Sequence, residues 1–222
     1  MRIGILGTGA MAAGLGGAWV RAGHEVLVGG RDPGAALKTA TRIRAAGSGG
    51  LADAARFGEA VLVAVPADVA VAVVGGLAGD LAGRTLLDCT VPMAPGTGGP
   101  VVTTSGGGDS IAVRLAAAAP GARVAKVFGI CHESIWTMPH PAFVGMPLTV
   151  PFCADSQGAV ELVTALVESM GCTAASCGGL ERAGLLESAA VFAIGVWWDG
   201  GEARYAFPAP ALAPGAVDDE QL

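Results

Sequence analysis

The sequence predicts an α/β fold, in which a doubly wound, mainly parallel sheet is followed by a smaller α/β unit at the C-terminal end. Two observations support this prediction. Short apolar runs alternate with helical stretches five or six times, as they do in doubly wound sheets. One run, residues 60–66, is apolar throughout, which is typical of a parallel strand covered by helices on both faces.

The first 130 residues contain most of these elements. Strands are predicted at residues 2–6, 25–28, 60–66, 85–89 and 122–128, with a short one near the glycines at 47–50. Helices are predicted after the first strand to Arg21, at 35–46, after Pro66 to Leu81, and at 110–119. A stretch rich in Gly, Pro and Thr predicts a loop at 93–108.

The pattern changes after Gly129. Residues 131–147 lack helical periodicity, and a strand (148–153), a helix (156–170), a short strand (172–176) and a last helix (181–198) follow. We therefore expect a smaller unit for substrate binding or dimerisation over residues 131–207. The remaining residues, 208–222, are rich in Pro and Ala and end in acidic residues, which predicts a flexible tail.

The composition excludes several classes of protein. Hydrophobic residues make up 52% of the chain, but no run of 18 apolar residues is free of glycine and charge, so no membrane span is expected. A formal net charge of −6 argues against binding to nucleic acid, which requires a basic face. The chain begins directly with a strand rather than a secretion signal, and its five cysteines include no CxxC pair, which predicts reduced thiols in the cytoplasm. No spacing of His and Cys predicts a metal site.

A glycine-rich turn follows the first strand at once and opens a helix. In this GxGxxA pattern Gly7 permits the tight turn, Gly9 lets the backbone approach a pyrophosphate, and Ala12 allows the helix to pack closely on the strand. The helix N-terminus offers unpaired N–H groups to a phosphate. The pattern therefore predicts a Rossmann-like dinucleotide-binding domain over residues 1–130.

The end of the second strand indicates which dinucleotide binds. A carboxylate there would bind the ribose 2′-hydroxyl of NAD, but the chain has Gly30 and Arg31 at this position. Arg31 can pair with a 2′-phosphate, and the glycine leaves space for it, so NADP is the expected cofactor. In the alternative, Asp32 binds the ribose and Arg31 is a solvated surface residue.

Two Val-Pro pairs, Val65-Pro66 and Val91-Pro92, each follow a strand at the carboxyl edge of the sheet. Ligands of open α/β sheets bind at that edge, where proline offers an apolar wall to the nicotinamide. Either pair could equally be an ordinary loop proline.

His132 and His140 are the candidate catalytic residues. They follow the last predicted strand of the first domain, and histidine has a pKa suited to protonating a reduced substrate at neutral pH. Both could instead be structural or surface histidines. Catalysis of the short-chain dehydrogenase kind is excluded, because the single tyrosine, Tyr205, has no lysine four residues on.

At the level of families, the chain resembles the NADPH-dependent oxidoreductases that reduce the 8-hydroxy-5-deazaflavin coenzyme, and their relatives the pyrroline-5-carboxylate reductases. The segments that carry the resemblance are 1–33, 63–66, 117–128, 147–149, 154–155, 171, 179–180 and 185–187. The resemblance implies a small homodimer in which the pyrophosphate is held by Thr8, Gly9, Ala10 and Met11. It also implies that Gly30 and Arg31 hold the 2′-phosphate and that Val65 and Pro66 line the nicotinamide site.

The acceptor half of the chain departs from that family. Val91-Pro92 replaces the usual Asn-Pro, Val127-Phe128-Gly129 replaces the usual Ala-Phe-Asn, and residues 130–145 match no family pattern. The first hypothesis is therefore an NADPH-dependent oxidoreductase whose small-molecule acceptor is the deazaflavin coenzyme or a small carbonyl or imine compound. A second is acid catalysis by His132 or His140. A third is an NADP-binding protein without redox turnover.

Overall fold

The computed structural model describes residues 1–105 and 109–203. The strands of this part are β1 (Arg2–Leu6), β2 (Glu25–Gly29), β3 (Gly47–Gly49), β4 (Ala60–Val63), β5 (Thr85–Asp88), β6 (Met93–Gly96), β7 (Gly99–Val102), β8 (Arg123–Val127), β9 (Ala142–Phe143), β10 (Met146–Pro147), β11 (Thr149–Ala154) and β12 (Thr173–Ser176). The α-helices are α1 (Ala10–Arg21), α2 (Pro33–Ile43), α3 (Leu51–Phe57), α4 (Ala67–Gly76), α5 (Ile111–Ala118), α6 (Gln157–Ser169) and α7 (Ala183–Trp198). Short 3₁₀ turns lie at Glu133–Thr137 and Leu180–Arg182.

Eight strands form one sheet in the order β12-β11-β8-β5-β4-β1-β2-β3. Neighbouring strands are parallel except for β11, which runs antiparallel to β8. The predicted doubly wound, mainly parallel sheet is therefore confirmed. The chain order reverses between β1 and β4, since β2 and β3 lie on one side of β1 and the later strands lie on the other. Such a reversal creates a crevice at the carboxyl ends of the strands, where ligands of open α/β sheets bind.

Helices cover both faces of the sheet. On one face α1, α2 and α6 pack against side chains such as Ile5 and Leu62, and on the other α3, α4, α5 and the start of α7 pack against Leu6 and Val63. Successive residues of β4 point to opposite faces, and both faces are buried. This is why the run at residues 60–63 is apolar without alternation.

The strands after residue 130 continue the same sheet. Phe152 of β11 pairs with Val127 of β8, and β12 extends the sheet beyond β11. The division of the chain at residue 130 stays a prediction, and the tail at 208–222 lies outside the described residues.

Several local features differ from the sequence prediction. The predicted loop at 93–108 contains a hairpin of β6 and β7, closed by a turn in which Gly99 has φ 122°. Glycine and proline signal a loop, but they also occupy the tight turns of hairpins, so composition did not separate the two. Helix α3 was not predicted. Within the described residues no helix is long and apolar enough to span a bilayer.

Candidate cofactor and acceptor site

The turn between β1 and α1 has the geometry that the glycine pattern predicts. Gly7 has φ 129°, and a Cβ there would lie 2.2 Å from the carbonyl oxygen of Ala64, so only glycine fits. Gly9 has an extended backbone, and a Cβ there would meet nothing within 4 Å. The open side of Gly9 is where a ligand can approach the backbone. Ala12, in the first turn of α1, is fully buried.

The N-terminus of α1 is free to bind an anion. Gly9 is its N-cap and supplies no side-chain acceptor, and the first turn holds no acidic residue. The N–H groups of the first helical residues, which include Ala10 and Met11, have no partner within the helix. Together with the helix dipole they favour a phosphate group at this end.

The end of β2 lies directly beside this turn. The N–H of Gly7 donates to the Gly29 carbonyl at 2.9 Å, and a Cβ on Gly30 would lie 2.8 Å from the Thr8 methyl carbon. Gly30 therefore allows β2 to reach the glycine turn, and the next residue, Arg31, is exposed at the mouth of the site.

Arg31 and Asp32 have different roles in the structure. The Asp32 carboxylate accepts a hydrogen bond from the Gly34 N–H at 2.8 Å and caps α2. Arg31 makes no hydrogen bond or ion pair with any described residue, so its guanidinium is available to a ligand. This arrangement favours the interpretation in which Arg31, rather than Asp32, contacts the cofactor.

One cavity of about 240 Å³ brings together seven of the twelve predicted cofactor-binding residues: Gly7, Thr8, Gly9, Gly30, Arg31, Val65 and Pro66. Leu51, Val69 and Val73 complete its apolar side, and the sequence analysis did not single them out. Val65 and Pro66 follow the end of β4 and lead into α4. The cavity thus offers backbone N–H groups and a guanidinium on one side and aliphatic side chains on the other.

Val91 and Pro92 do not line this cavity. They follow β5, further from Arg31 in the strand order, and Pro92 is buried. Val91 lines a second, small cavity together with Phe128 and Gly129, which follow β8. Two of the departures from the family pattern, Val91 and the segment Val127-Phe128-Gly129, therefore meet at one place, at the carboxyl ends of β5 and β8.

A buried charge cluster lies at the second cavity. The Lys126 ammonium donates to the Asp88 carboxylate and contacts the Glu187 carboxylate, with both N···O distances 2.9 Å. Lys126 and Glu187 line the cavity, and all three side chains are at most 2% exposed. The Nζ of Lys126 also donates to the Thr90 carbonyl at 2.5 Å.

The cluster contains two carboxylates and one ammonium group, which affects the pKa values of its members. Burial raises the pKa of Glu187, although Lys126 opposes the effect. Burial alone would lower the pKa of Lys126, but Asp88 and Glu187 outweigh it and the net effect is to raise that pKa. The Oε2 atom of Glu187 is buried and has no hydrogen-bond partner among the described residues.

The sequence analysis missed the cluster, although one signal was available. The chain has only two lysines, and Lys126 interrupts the otherwise apolar stretch Val124–Phe128. A lysine in a central strand must be paired when it is buried. Its partners could not be identified, because Asp88 and Glu187 lie 38 and 61 residues away in the chain.

Neither candidate histidine lines the two cavities described above. His132 is exposed and caps the 3₁₀ turn at Glu133–Thr137, where its Nδ1 contacts the Ser134 hydroxyl at 3.0 Å. His140 lines a different cavity, of about 140 Å³, with residues from the last turns of α1 and α6. The twelve residues of α1 span about 18 Å, which separates that cavity from the glycine turn.

The backbone after β8 is strained. Phe128 has φ 68°, which is rare for a bulky residue, and its ring packs edge-on between Trp19 and Trp136 with centroid distances of 5.7 and 5.3 Å. These aromatic contacts hold the strained turn in place, directly before Gly129 at the second cavity.

Comparison with known proteins identifies the family. Residues 2–92 match the family model described as NADP oxidoreductase, coenzyme F420-dependent. An F420-dependent NADP reductase of Methanothermobacter marburgensis is 30% identical over 202 residues, covering 84% of this chain and 88% of that protein. The chain belongs to the F420-dependent NADP reductase family. It is accordingly an NADP-dependent oxidoreductase, and the predicted cofactor and enzyme class are confirmed.

Solved structures agree with this assignment. A candidate F420-dependent NADP reductase from Arthrobacter sp. FB24 superposes with a TM-score of 0.80 at 26% identity, covering 90% of this chain and 95% of that one. The pyrroline carboxylate reductase of Plasmodium falciparum shares the fold, with a TM-score of 0.56 at 13% identity over 79% of this chain and 57% of that one. The resemblance noted from the sequence is therefore confirmed.

Proposed function

We propose that this enzyme transfers a hydride between NADP(H) and the deazaflavin coenzyme F420. The observation that carries the proposal is the cavity at the glycine turn, where free helix N–H groups and the unpaired Arg31 guanidinium lie beside an apolar wall. Two anionic groups of NADP, the pyrophosphate and the 2′-phosphate, would match these two features.

The position of Arg31 would determine the orientation of the bound dinucleotide. With the 2′-phosphate at the end of β2 and the pyrophosphate at Gly9, the nicotinamide half would extend past Val65 and Pro66 towards the ends of β5 and β8. Val91 and Gly129 would then flank the acceptor side. NADP supplies the hydride chemistry when bound, and the protein orients the two rings and excludes water from them.

The reaction consumes one proton. Reduction of the deazaflavin adds a hydride from the nicotinamide to a ring carbon and a proton to a ring nitrogen, and NADPH becomes NADP⁺. His132 and His140 remain the proposed proton donors, and because neither lines either cavity, delivery of the proton from solvent is the alternative.

The test follows the absorbance of NADPH and of coenzyme F420 in the same reaction mixture. NADPH and coenzyme F420 should be consumed in equal amounts with purified protein, and the reverse reaction should restore both. NADPH oxidation with small carbonyl or imine compounds, but not with F420, would replace the proposed acceptor. Tight NADPH binding without turnover of any acceptor would favour a binding protein without redox activity.

We also propose that the protein is a homodimer through α7 and the β6–β7 hairpin. Val101 on β7 and Trp197 and Trp198 on α7 are between 43% and 65% exposed, and Pro100 packs against Gly195 of the same helix. Exposed apolar groups of this size favour an interface. Light scattering should give twice the monomer mass, and Trp198→Glu should lower it, whereas a monomeric wild type would reject the proposal.

We place the protein in the cytoplasm. All five cysteines are free, and Cys89, Cys153 and Cys172 are buried. Unpaired buried thiols suit a reducing compartment. Fractionation of cells that produce the protein should recover it with cytoplasmic markers.

A further inference from the structure

The buried cluster of Asp88, Lys126 and Glu187 joins separate elements of the fold. Asp88 ends β5, Lys126 lies in β8, and Glu187 lies in α7. The Glu187 carboxylate also accepts the N–H of Ile111, the first residue of α5, at 2.9 Å. Two strands and two helices therefore meet at one set of charges.

Stability alone does not explain this cluster. Removing charges from water is costly, and well-packed apolar side chains of similar size stabilise a core as well as a buried ion pair, or better. The cluster holds two carboxylates for one ammonium, and Glu187 Oε2 lacks a partner among the described residues. What the charges supply is a defined geometry.

That geometry is imposed on Thr90. The Asp88 carboxylate accepts from both the N–H and the hydroxyl of Thr90, at 2.9 and 2.7 Å, while Lys126 donates to the Thr90 carbonyl. Thr90 is 5% exposed, and its three polar groups are all held by the cluster. The turn at residues 90–92 is thus attached to the sheet by charged groups. Val91, the middle residue of this turn, lines the second cavity.

We propose that Asp88, Lys126 and Glu187 are positioning residues for hydride transfer, which hold the turn at residues 90–92 against β8 and tie it to α7. This inference rests on the proposed function, because it places the nicotinamide half of the cofactor at the ends of β5 and β8. An error of about 1 Å in the position of reacting groups can lower the rate about 100-fold.

The experiment compares Lys126→Met with Leu166→Ala. Lys126→Met keeps most of the length of the side chain and removes its charge. Leu166 is a buried residue of α6 outside the charge cluster and serves as a control of lowered stability. Lys126→Met should lower kcat by about 10- to 100-fold. Its Kd for NADPH should stay within about twofold, because the glycine turn and Arg31 do not touch the cluster. Leu166→Ala should keep kcat within about twofold.

Amide hydrogen exchange gives a readout that is independent of activity. In Lys126→Met the peptide that contains residues 89–93 should exchange at least about tenfold faster than in the wild type, and in Leu166→Ala its exchange should change far less. If Lys126→Met does not fold, Asp88→Asn removes the paired charge with little change of shape and should have effects in the same direction.

The outcomes separate the two proposals. A folded Lys126→Met or Asp88→Asn protein with unchanged kcat and unchanged exchange at 89–93 would overturn the positioning role. A loss of NADPH affinity equal to the loss of kcat would also overturn it. A wild type that does not reduce F420 would reject the proposed function, and the exchange data would still decide whether the cluster holds the turn.

Discussion

At the scale of single residues, we expect Arg31 to carry the preference for NADP. A charge-assisted hydrogen bond to a phosphate contributes about 1.5–3 kcal/mol, which corresponds to roughly a 10- to 100-fold change in affinity. We expect Arg31→Ala to weaken NADPH binding by this factor and to change NADH binding little. Isothermal titration of both nucleotides measures the difference, and Arg42→Ala, an exposed arginine outside the cavity, is the matched control. Equal losses for NADPH and NADH would contradict a contact with the 2′-phosphate.

Glu187 makes the stability of the protein depend on pH. Burial raises its pKa, so the folded state holds the Glu187 proton more tightly than the unfolded state does. The stability that this proton contributes is fully present below the ordinary pKa of 4.5 and is lost as the pH rises through the folded-state pKa. Lys126 contacts Glu187 directly, the Asp88 charge is near enough to raise the pKa of Glu187, and Arg114 on α5 is near enough to respond to the charge of Glu187.

We therefore expect Glu187→Gln to gain stability relative to the wild type as the pH rises. Urea denaturation of both proteins from about pH 4.5 to about pH 8 gives the difference in free energy of unfolding. Glu168→Gln, the same substitution at an exposed position, is the control for the removal of a carboxylate. A difference that stays constant across this range would show that Glu187 has the same affinity for a proton in both states.

At the scale of elements, we expect two glycines of the turn between β1 and α1 to have different effects, Gly7 on folding and Gly9 on binding. A Cβ on Gly9 would enter open space and the backbone there is extended, so Gly9→Ala should cost about 1 kcal/mol or less in stability. The added methyl group lies where the pyrophosphate would approach, so the affinities for NADPH and NADH should fall by the same factor.

The neighbouring glycine provides the comparison. Gly7 has a positive φ, and its Cβ would collide with the Ala64 carbonyl, so Gly7→Ala should lower the melting temperature strongly. Thermal unfolding and nucleotide titration of both variants test the pair. If Gly9→Ala bound both nucleotides as tightly as the wild type, the pyrophosphate would lie elsewhere.

The elements that could be predicted are those with a local signal. The strand at 60–63 was visible because burial on both faces makes every residue apolar, although the apolar run that predicted it continues to Pro66, beyond the end of the strand. The glycine turn was visible because its spacing reflects backbone contacts within one βαβ unit. The β6–β7 hairpin was hidden because Pro95, Pro100 and the glycines around them indicate loop and hairpin alike. The Asp88–Lys126–Glu187 cluster depends on contacts between distant segments, which no local pattern encodes.

At the scale of the whole molecule, the contacts across residue 130 predict how the protein unfolds. β11 pairs with β8 through residues 152–154, which continue the hydrogen bonding of a strand from the first 130 residues. Glu187 of α7 contacts both Lys126 and the N-terminus of α5, and Trp136 packs on Phe128. Separating the two parts would expose a strand edge, buried charges and aromatic rings together, at a cost that neither part could offset alone.

We therefore expect one cooperative transition rather than two. Trp19 precedes residue 130 in the sequence and Trp136 follows it, and both are buried, so tryptophan fluorescence monitors both parts. Circular dichroism monitors the whole sheet. The two signals should give coincident denaturation curves, and a fragment that ends at residue 130 should not fold. Two separate transitions, or a folded fragment 1–130 that binds NADPH, would show that the sequence-predicted boundary is a true domain boundary. In that case β11 pairs with β8 at the interface between two independently stable units.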